Sequence, residues 1–164
     1  MKLNTKNIAI LGMLTALYVV LSAFLKFTLV GNIMVDLGYI AFTFALCMFG
    51  PAGIIVGVLG CTLESILFSA YGFSISWCLA NLTIGLICAW LLKNDMNIYA
   101  KCLIVVVAVA VGMLGVKTAV ECLLYNIPLV VKLPKNAVAF AVDAVTMMIG
   151  LFFYQATRKK IANG

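Results

Sequence analysis

Residues 102–126 read CLIVVVAVAVGMLGVKTAVECLLYN, a hydrocarbon run interrupted by Lys117, Glu121 and Tyr125. The run is long enough to cross a bilayer, which takes about 20 apolar residues in a helix. In a helix, positions 117, 121 and 125 fall at i, i+4 and i+8, so a cation, a carboxylate and a phenol share one face. An unsatisfied charge is expensive in hydrocarbon, so that face is expected to look at protein or a water-filled cavity. The stretch thus predicts a membrane helix and one wall of a ligand site.

The rest of the chain has the same character. Of its 164 residues, 66% are hydrophobic and 10% charged, against roughly half and a quarter in a soluble domain. Six spans are expected, at about 8–25, 35–49, 52–70, 75–92, 102–125 and 136–154. They make an all-α, polytopic membrane protein with one six-helix transmembrane domain over residues 1–164. The second span is short, and Gly50-Pro51 separates it from the third, a pair at which a helix normally stops.

An even number of spans puts both termini on one side. That side holds Lys2, Lys6, Lys93, Lys101, Arg158, Lys159 and Lys160, the other only Lys26, Lys132 and Lys135. The positive-inside rule therefore predicts cytoplasmic termini and a cell-membrane protein. The basic residues form no stripe with interleaved aromatics, which argues against nucleic-acid binding. The 6 cysteines include no CxxC pair and there is no histidine, so neither a metal site nor a cofactor is expected. No Ser or Cys stands next to a base, which argues against an enzyme.

The carboxylates carry the functional reading. Asp95 falls in a cytoplasmic loop, while Asp36, Glu64, Glu121 and Asp143 fall toward the outer ends of their spans. Counted inward at ~1.5 Å per residue, Glu64, Glu121 and Asp143 lie about 7–11 Å deep. Asn81 shares their level, Asp36 stands at the entrance and Lys117 a turn below Glu121. Gly53, Gly57 and Gly60 lead along one helix face to Glu64, and such a small-residue stripe packs against a neighbouring helix and turns Glu64 inward. Trp77 lies one turn from Asn81, and Phe140, Asp143, Met147 and Gly150 form a stripe on the last span. The outer segment 27–34 contains the turn pair Gly31-Asn32, and the outer loop after Tyr125, with Pro128, Pro134 and two lysines, is placed to cover a site.

Three carboxylates against Lys117 make an acidic pocket, even if Lys117 neutralises Glu121. It suits an amine, an amidine or a 2-amino-4-oxo pyrimidine edge, whose parallel N–H donors a carboxylate accepts. Candidate binding residues are Glu121, Asp143, Glu64, Asn81, Lys117, Trp77, Tyr125, Asp36 and Phe140, with Glu121 ahead of Lys117. On the first span Gly12 and Ala16 form a small-xxx-small element, which packs helices within the bundle or docks another membrane subunit.

With these features the chain resembles the substrate-binding S components of energy-coupling-factor (ECF) vitamin transporters. The opening helix LGMLTALYVVLSAFL carries Gly12 and Ala16 where the family has an Ala-xxx-Ala element facing its transmembrane coupling subunit. The segment DLGYIAFTFALCMFGPAGIIVGVLGCTLESILF, residues 36–68, follows the family order of polar start, apolar helix, Phe-Gly-Pro and glycine-rich acidic helix. The Gly-Phe-Ser-Ile-Ser segment from Gly72 is similar to the folate-type branch. The resemblance implies uptake of a small-molecule micronutrient together with the coupling subunit and two cytosolic ATPases. This chain carries no nucleotide-binding motif, so ATP hydrolysis would lie in the partners.

Folate is a dicarboxylate and suits the acidic layer less well than a neutral or cationic heterocycle, such as a queuine-like 7-deazaguanine or another pterin- or purine-like compound. The alternatives are a stand-alone proton-coupled carrier, since buried carboxylates also serve as proton relays, and a structural membrane scaffold of cell-shape type.

Overall fold

The computed structural model describes residues 4–24, 27–29, 33–68, 73–93 and 95–163. Lys2, Lys26, the Gly31-Asn32 turn and Gly72 lie outside them. Helix α1 spans Thr5–Phe24, α2 Gly38–Phe49, α3 Ile54–Phe68, α4 Ile75–Leu91, α5 Ile98–Ala110, α6 Thr118–Tyr125 and α7 Leu129–Asn163. A 3₁₀ turn, Gly50–Gly53, links α2 to α3, and a π-helical segment, Val111–Lys117, joins α5 to α6.

Among the described residues, four helical stretches are long and apolar enough to cross a membrane: Thr5–Phe24, Gly38–Phe68, Ile98–Tyr125 and Leu129–Arg158. Ile75–Leu91 is a shorter apolar helix. The stretch Gly38–Phe68 is not one rod. A Cβ on Gly53 would meet the Ala45 carbonyl oxygen at 2.5 Å, and one on Gly57 would strike the Phe42 ring. In a straight helix residues 42 and 57 stand ~22 Å apart. The chain therefore folds back at Gly50, whose φ of 55° lies in the left-handed region glycine favours.

The structure departs from the sequence expectation in three places. The all-helical class holds, with one addition: a short hairpin, β1 (Phe27–Leu29) paired antiparallel with β2 (Ile33–Val35), precedes α2. Helix α2 starts at Gly38 and not near Val35, leaving Asp36 just ahead of the helix. The expected loop after Tyr125 shrinks to 126–128, with Asn126 in the left-handed conformation at the end of α6. Helix α7 begins at Leu129 and carries Pro134 within it. Pro134 is the sixth residue of α7, so it removes one backbone hydrogen bond, the one to the Val130 carbonyl, early in the helix.

The interior is built by close approach of helices. Helix α2 lies against α1 and α7, α3 against α1 and α4, and α4 against the π segment. The Gly53–Gly57–Gly60 stripe faces inward as expected: a Cβ on Gly60 would meet the Tyr18 ring at 2.5 Å, and Glu64 below it is 1% exposed. A Cβ on Gly150 would meet the Ile40 carbonyl at 2.7 Å, bringing α7 equally close to α2. Little hydrophobic drive acts between helices in lipid, so such contacts hold the bundle together.

Hydroxyls within the helices bond back to the preceding turn, as Thr15 does to Leu11 O (2.8 Å) and Thr43 to Tyr39 O (2.9 Å). Such back-bonding satisfies these hydroxyls within an apolar helix. The exterior is apolar, with Leu123, Val130 and Trp90 largely exposed.

Candidate functional site

The buried polar groups gather where α1, α2 and α4 meet near Asp36. Trp77 Nε1 donates to Tyr39 Oη at 3.0 Å, and Tyr39 Oη donates to Asn81 Oδ1 at 2.7 Å. Asn81 Nδ2 then reaches Tyr18 Oη at 3.5 Å, and Tyr18 Oη donates to Asp36 Oδ2 at 3.4 Å. The other Asp36 oxygen accepts the Gly38 N–H at 2.8 Å, so this carboxylate shapes the entry to α2. The chain runs α4–α2–α4–α1–Asp36, and Tyr18, Tyr39 and Asn81 are 0% exposed.

Two charges border this chain. Lys117 Nζ stands 5.2 Å from the centroid of the Trp77 ring, a cation–π arrangement. Asp143 on α7 is 5% exposed and within electrostatic reach of both the Asp36 carboxylate and the Lys117 ammonium. Glu64 approaches from α3, beside Cys61, which also feels Asp36. The structure thus brings Asp36, Trp77, Asn81, Lys117 and Asp143 around one point and turns Glu64 inward. Phe140 packs against the apolar core.

Glu121 belongs to a second cluster. Its Oε2 pairs with Lys132 Nζ at 3.3 Å and accepts from Asn136 Nδ2 at 3.1 Å. The Asn136 amide also reaches Thr118 Oγ1 at 3.0 Å, and Thr118 bonds Met113 O, five residues back across the widened π turn. This cluster clasps α6 to α7.

Lys117 and Glu121, placed on one helix face by their spacing, take different partners: Lys117 turns to α4 and Glu121 to α7, while Tyr125 is 51% exposed. At about 100° per residue, four positions advance 400°, so each i+4 step drifts about 40° around the helix. Over two steps the stripe fans toward different neighbours.

Several participants were not singled out from the sequence. Tyr18 and Tyr39 sit within apolar helices, and a buried phenol needs a hydrogen-bond partner, which was the available signal. Lys132 falls in the expected loop after Tyr125, but α7 begins at Leu129 and brings Lys132 and Asn136 against α6. Lys101, assigned to the cytoplasmic face, is only 5% exposed in the first turn of α5.

Gly12 and Ala16 stand apart from the polar layer. A Cβ on Gly12 meets nothing within 4 Å. With Ile10, Met13, Leu14, Leu17 and Val20, Ala16 lines an open apolar groove of about 540 Å³ along α1.

An apolar-surfaced bundle of long hydrophobic helices with its polar groups turned inward is the architecture of a multi-pass membrane protein. The sequence profile of the family described as ECF-type riboflavin transporter, S component, matches residues 2–157, and the chain belongs to that family. It is a family of transporter subunits and not of enzymes.

Among solved structures, the chain is similar to FolT bound with folic acid, with TM-score 0.69 and 21% identity over 89% of this chain and 91% of that one. It is also similar to the S component of a bacterial ECF transporter, with TM-score 0.60 and 22% identity over 96% of each chain. At these identities the likeness is one of fold. No curated protein matches the chain.

Proposed function

We propose that this chain is the substrate-capturing S component of an ECF importer, binding an uncharged, planar heterocyclic vitamin at the Trp77–Lys117–Asp143 corner. The observation that carries this reading is the convergence on Trp77. Its indole is fixed edge-on by Tyr39 and carries a lysine over its ring, with Asn81 one turn away and Asp143 near that lysine. A flat ring stacks on the indole, an imide or amino-pyrimidine edge donates to the carboxylates, and a ring carbonyl accepts from Lys117.

Glu121 is drawn off by Lys132, while Asp36, Glu64 and Asp143 share the layer with Lys117. That layer disfavours a dianion and suits a flavin or a pterin- or 7-deazapurine-like ring. Riboflavin, named in the family description, is uncharged at neutral pH and has an imide N–H between two carbonyls. Folic acid, the ligand of the FolT structure, carries two carboxylates.

In this reading the chain forms one domain and crosses the membrane six times, a count supported by the fold-back at Gly50 between α2 and α3. Both termini lie in the cytoplasm. The coupling subunit docks on the open α1 groove at Gly12 and Ala16, and two cytosolic ATPases supply the energy. A stand-alone proton-coupled carrier is the second reading, favoured by the proximity of Asp143 to Asp36.

Thermal-shift measurement of the purified protein against riboflavin, folate, queuine and related heterocycles tests the proposal, since a ligand that binds the native state raises its stability. A shift with an uncharged flat ring is expected, and no shift with any compound overturns it. Uptake into vesicles lacking every ATPase would decide for the carrier.

A further inference from the structure

The polar layer has a pair of thiols at its edge. Cys61 Sγ on α3 and Cys78 Sγ on α4 are 3.7 Å apart, and Cys78 Sγ is also 3.4 Å from Thr62 Oγ1. This is van der Waals contact between two sulfurs, and a disulfide requires closure to about 2.05 Å. Cys61 is 1% exposed, one helical turn before Glu64, whereas Cys78 is only partly buried and directly follows Trp77 in sequence. It is the fourth residue of α4, so it lies ~5 Å along the axis from the helix end. The other four cysteines are also free thiols, but no such contact joins them among the described residues.

We infer that Cys61 and Cys78 are an oxidisable dithiol whose disulfide clamps α3 to α4 beside the polar layer. A low-molecular-weight disulfide is the oxidant. The Cys78 thiolate attacks one of its sulfurs, forming a mixed disulfide and expelling the first thiolate. The Cys61 thiol gives up its proton and its sulfur attacks Cys78 Sγ, forming the Cys61–Cys78 bond and expelling the second thiolate. Two protein thiols are oxidised, the small disulfide is reduced to two thiols, and those thiols take up the protons. Only Cys78 has to meet the oxidant, because Cys61 reacts within the protein. The ring closed by the bond contains the end of α3, with Glu64, and the start of α4, with Trp77, so the bond ties those two helix ends together.

The test uses the full-length reduced protein in detergent and 2,2′-dithiodipyridine as the oxidant. Proteolysis and mass spectrometry are expected to recover the Cys61 and Cys78 peptides joined and lacking two hydrogens, with two equivalents of thiopyridone released. Cross-linking should raise the melting temperature by about 5 °C and slow amide exchange in the stretch 62–78, both reversed by a thiol reductant. Cys61→Ser should stop at the mixed disulfide on Cys78, and Cys78→Ser should leave Cys61 unmodified, so either variant serves if the other does not fold. A stable mixed disulfide on Cys78 in the unsubstituted protein, with no joined peptide, overturns the dithiol. A joined peptide with unchanged melting and exchange overturns the clamp. Neither readout depends on the identity of a transported ligand.

Discussion

Trp77 Nε1 donates to Tyr39 Oη, and that oxygen donates onward to Asn81, so one fully buried phenol satisfies partners at two positions on α4. Removing the hydroxyl leaves an indole N–H and an amide oxygen short of partners in an apolar interior, and each such loss costs about 1–3 kcal/mol. Tyr39→Phe is therefore expected to destabilise the protein by roughly 2–4 kcal/mol. The Tyr18 contacts are longer, 3.4 and 3.5 Å, so Tyr18→Phe should cost under about 1 kcal/mol. Chemical or thermal unfolding in detergent compares the two, and equal losses would refute the relay as described.

The Glu121–Lys132 pair predicts an asymmetric response. Lys132→Met strands a carboxylate whose side chain is 11% exposed, with Asn136 as its remaining partner. Glu121→Gln leaves a lysine on the first turns of α7 that can extend toward water. After allowance for partial exposure, Lys132→Met should cost about 2 kcal/mol and Glu121→Gln less than half of that. Melting temperatures in the reverse order would show that the pair is not the clasp between α6 and α7.

Glycine positions separate packing from docking. Gly57→Ala and Gly60→Ala drive a methyl into the Phe42 and Tyr18 rings, and overpacking of this kind costs about 1–3 kcal/mol. Gly12→Ala meets nothing within 4 Å and should leave the stability of the isolated protein unchanged. If the α1 groove receives the coupling subunit, the bulkier Gly12→Leu should lower recovery of the assembled complex in co-purification without shifting the melting temperature. Full recovery would place the interface elsewhere.

Ligand affinity should depend on the corner at Trp77. Asp143→Asn is expected to weaken binding of the ligand found by thermal shift at least tenfold, a loss of about 1.4 kcal/mol, and Trp77→Leu to do so comparably through lost stacking. Glu121→Gln should act more weakly, because its carboxylate is engaged by Lys132 and Asn136. Isothermal titration of the three variants ranks them, and a dominant effect at Glu121 would move the site to the α6–α7 clasp.

Most of the helical plan was legible in the residues. Hydrocarbon runs near span length mark membrane helices regardless of context, and the bounds of α4 and the break at Gly50-Pro51 follow from local chemistry. The inward face of α3 was equally readable, because glycines at spacings of 4 and 3 admit a neighbouring helix along one side only. The hairpin at Phe27–Leu29 and Ile33–Val35 was not legible, since three-residue strands carry too little periodicity to register. The early start of α7 was masked by Pro128 and Pro134, which read as loop residues although α7 runs through Pro134.

Alone, the sequence determined that this is a multi-pass membrane protein whose carboxylates at 36, 64, 121 and 143 turn inward, because charge is costly in lipid whatever the fold. Tertiary structure decided which charges meet. Lys117, Glu121 and Tyr125 lie on one helix stripe, yet Lys117 turns to Trp77, Glu121 to Lys132, and Tyr125 stays half exposed. The drift of an α-helical stripe and the identity of the neighbouring helices set those partners, and neither is written in the spacing of three residues.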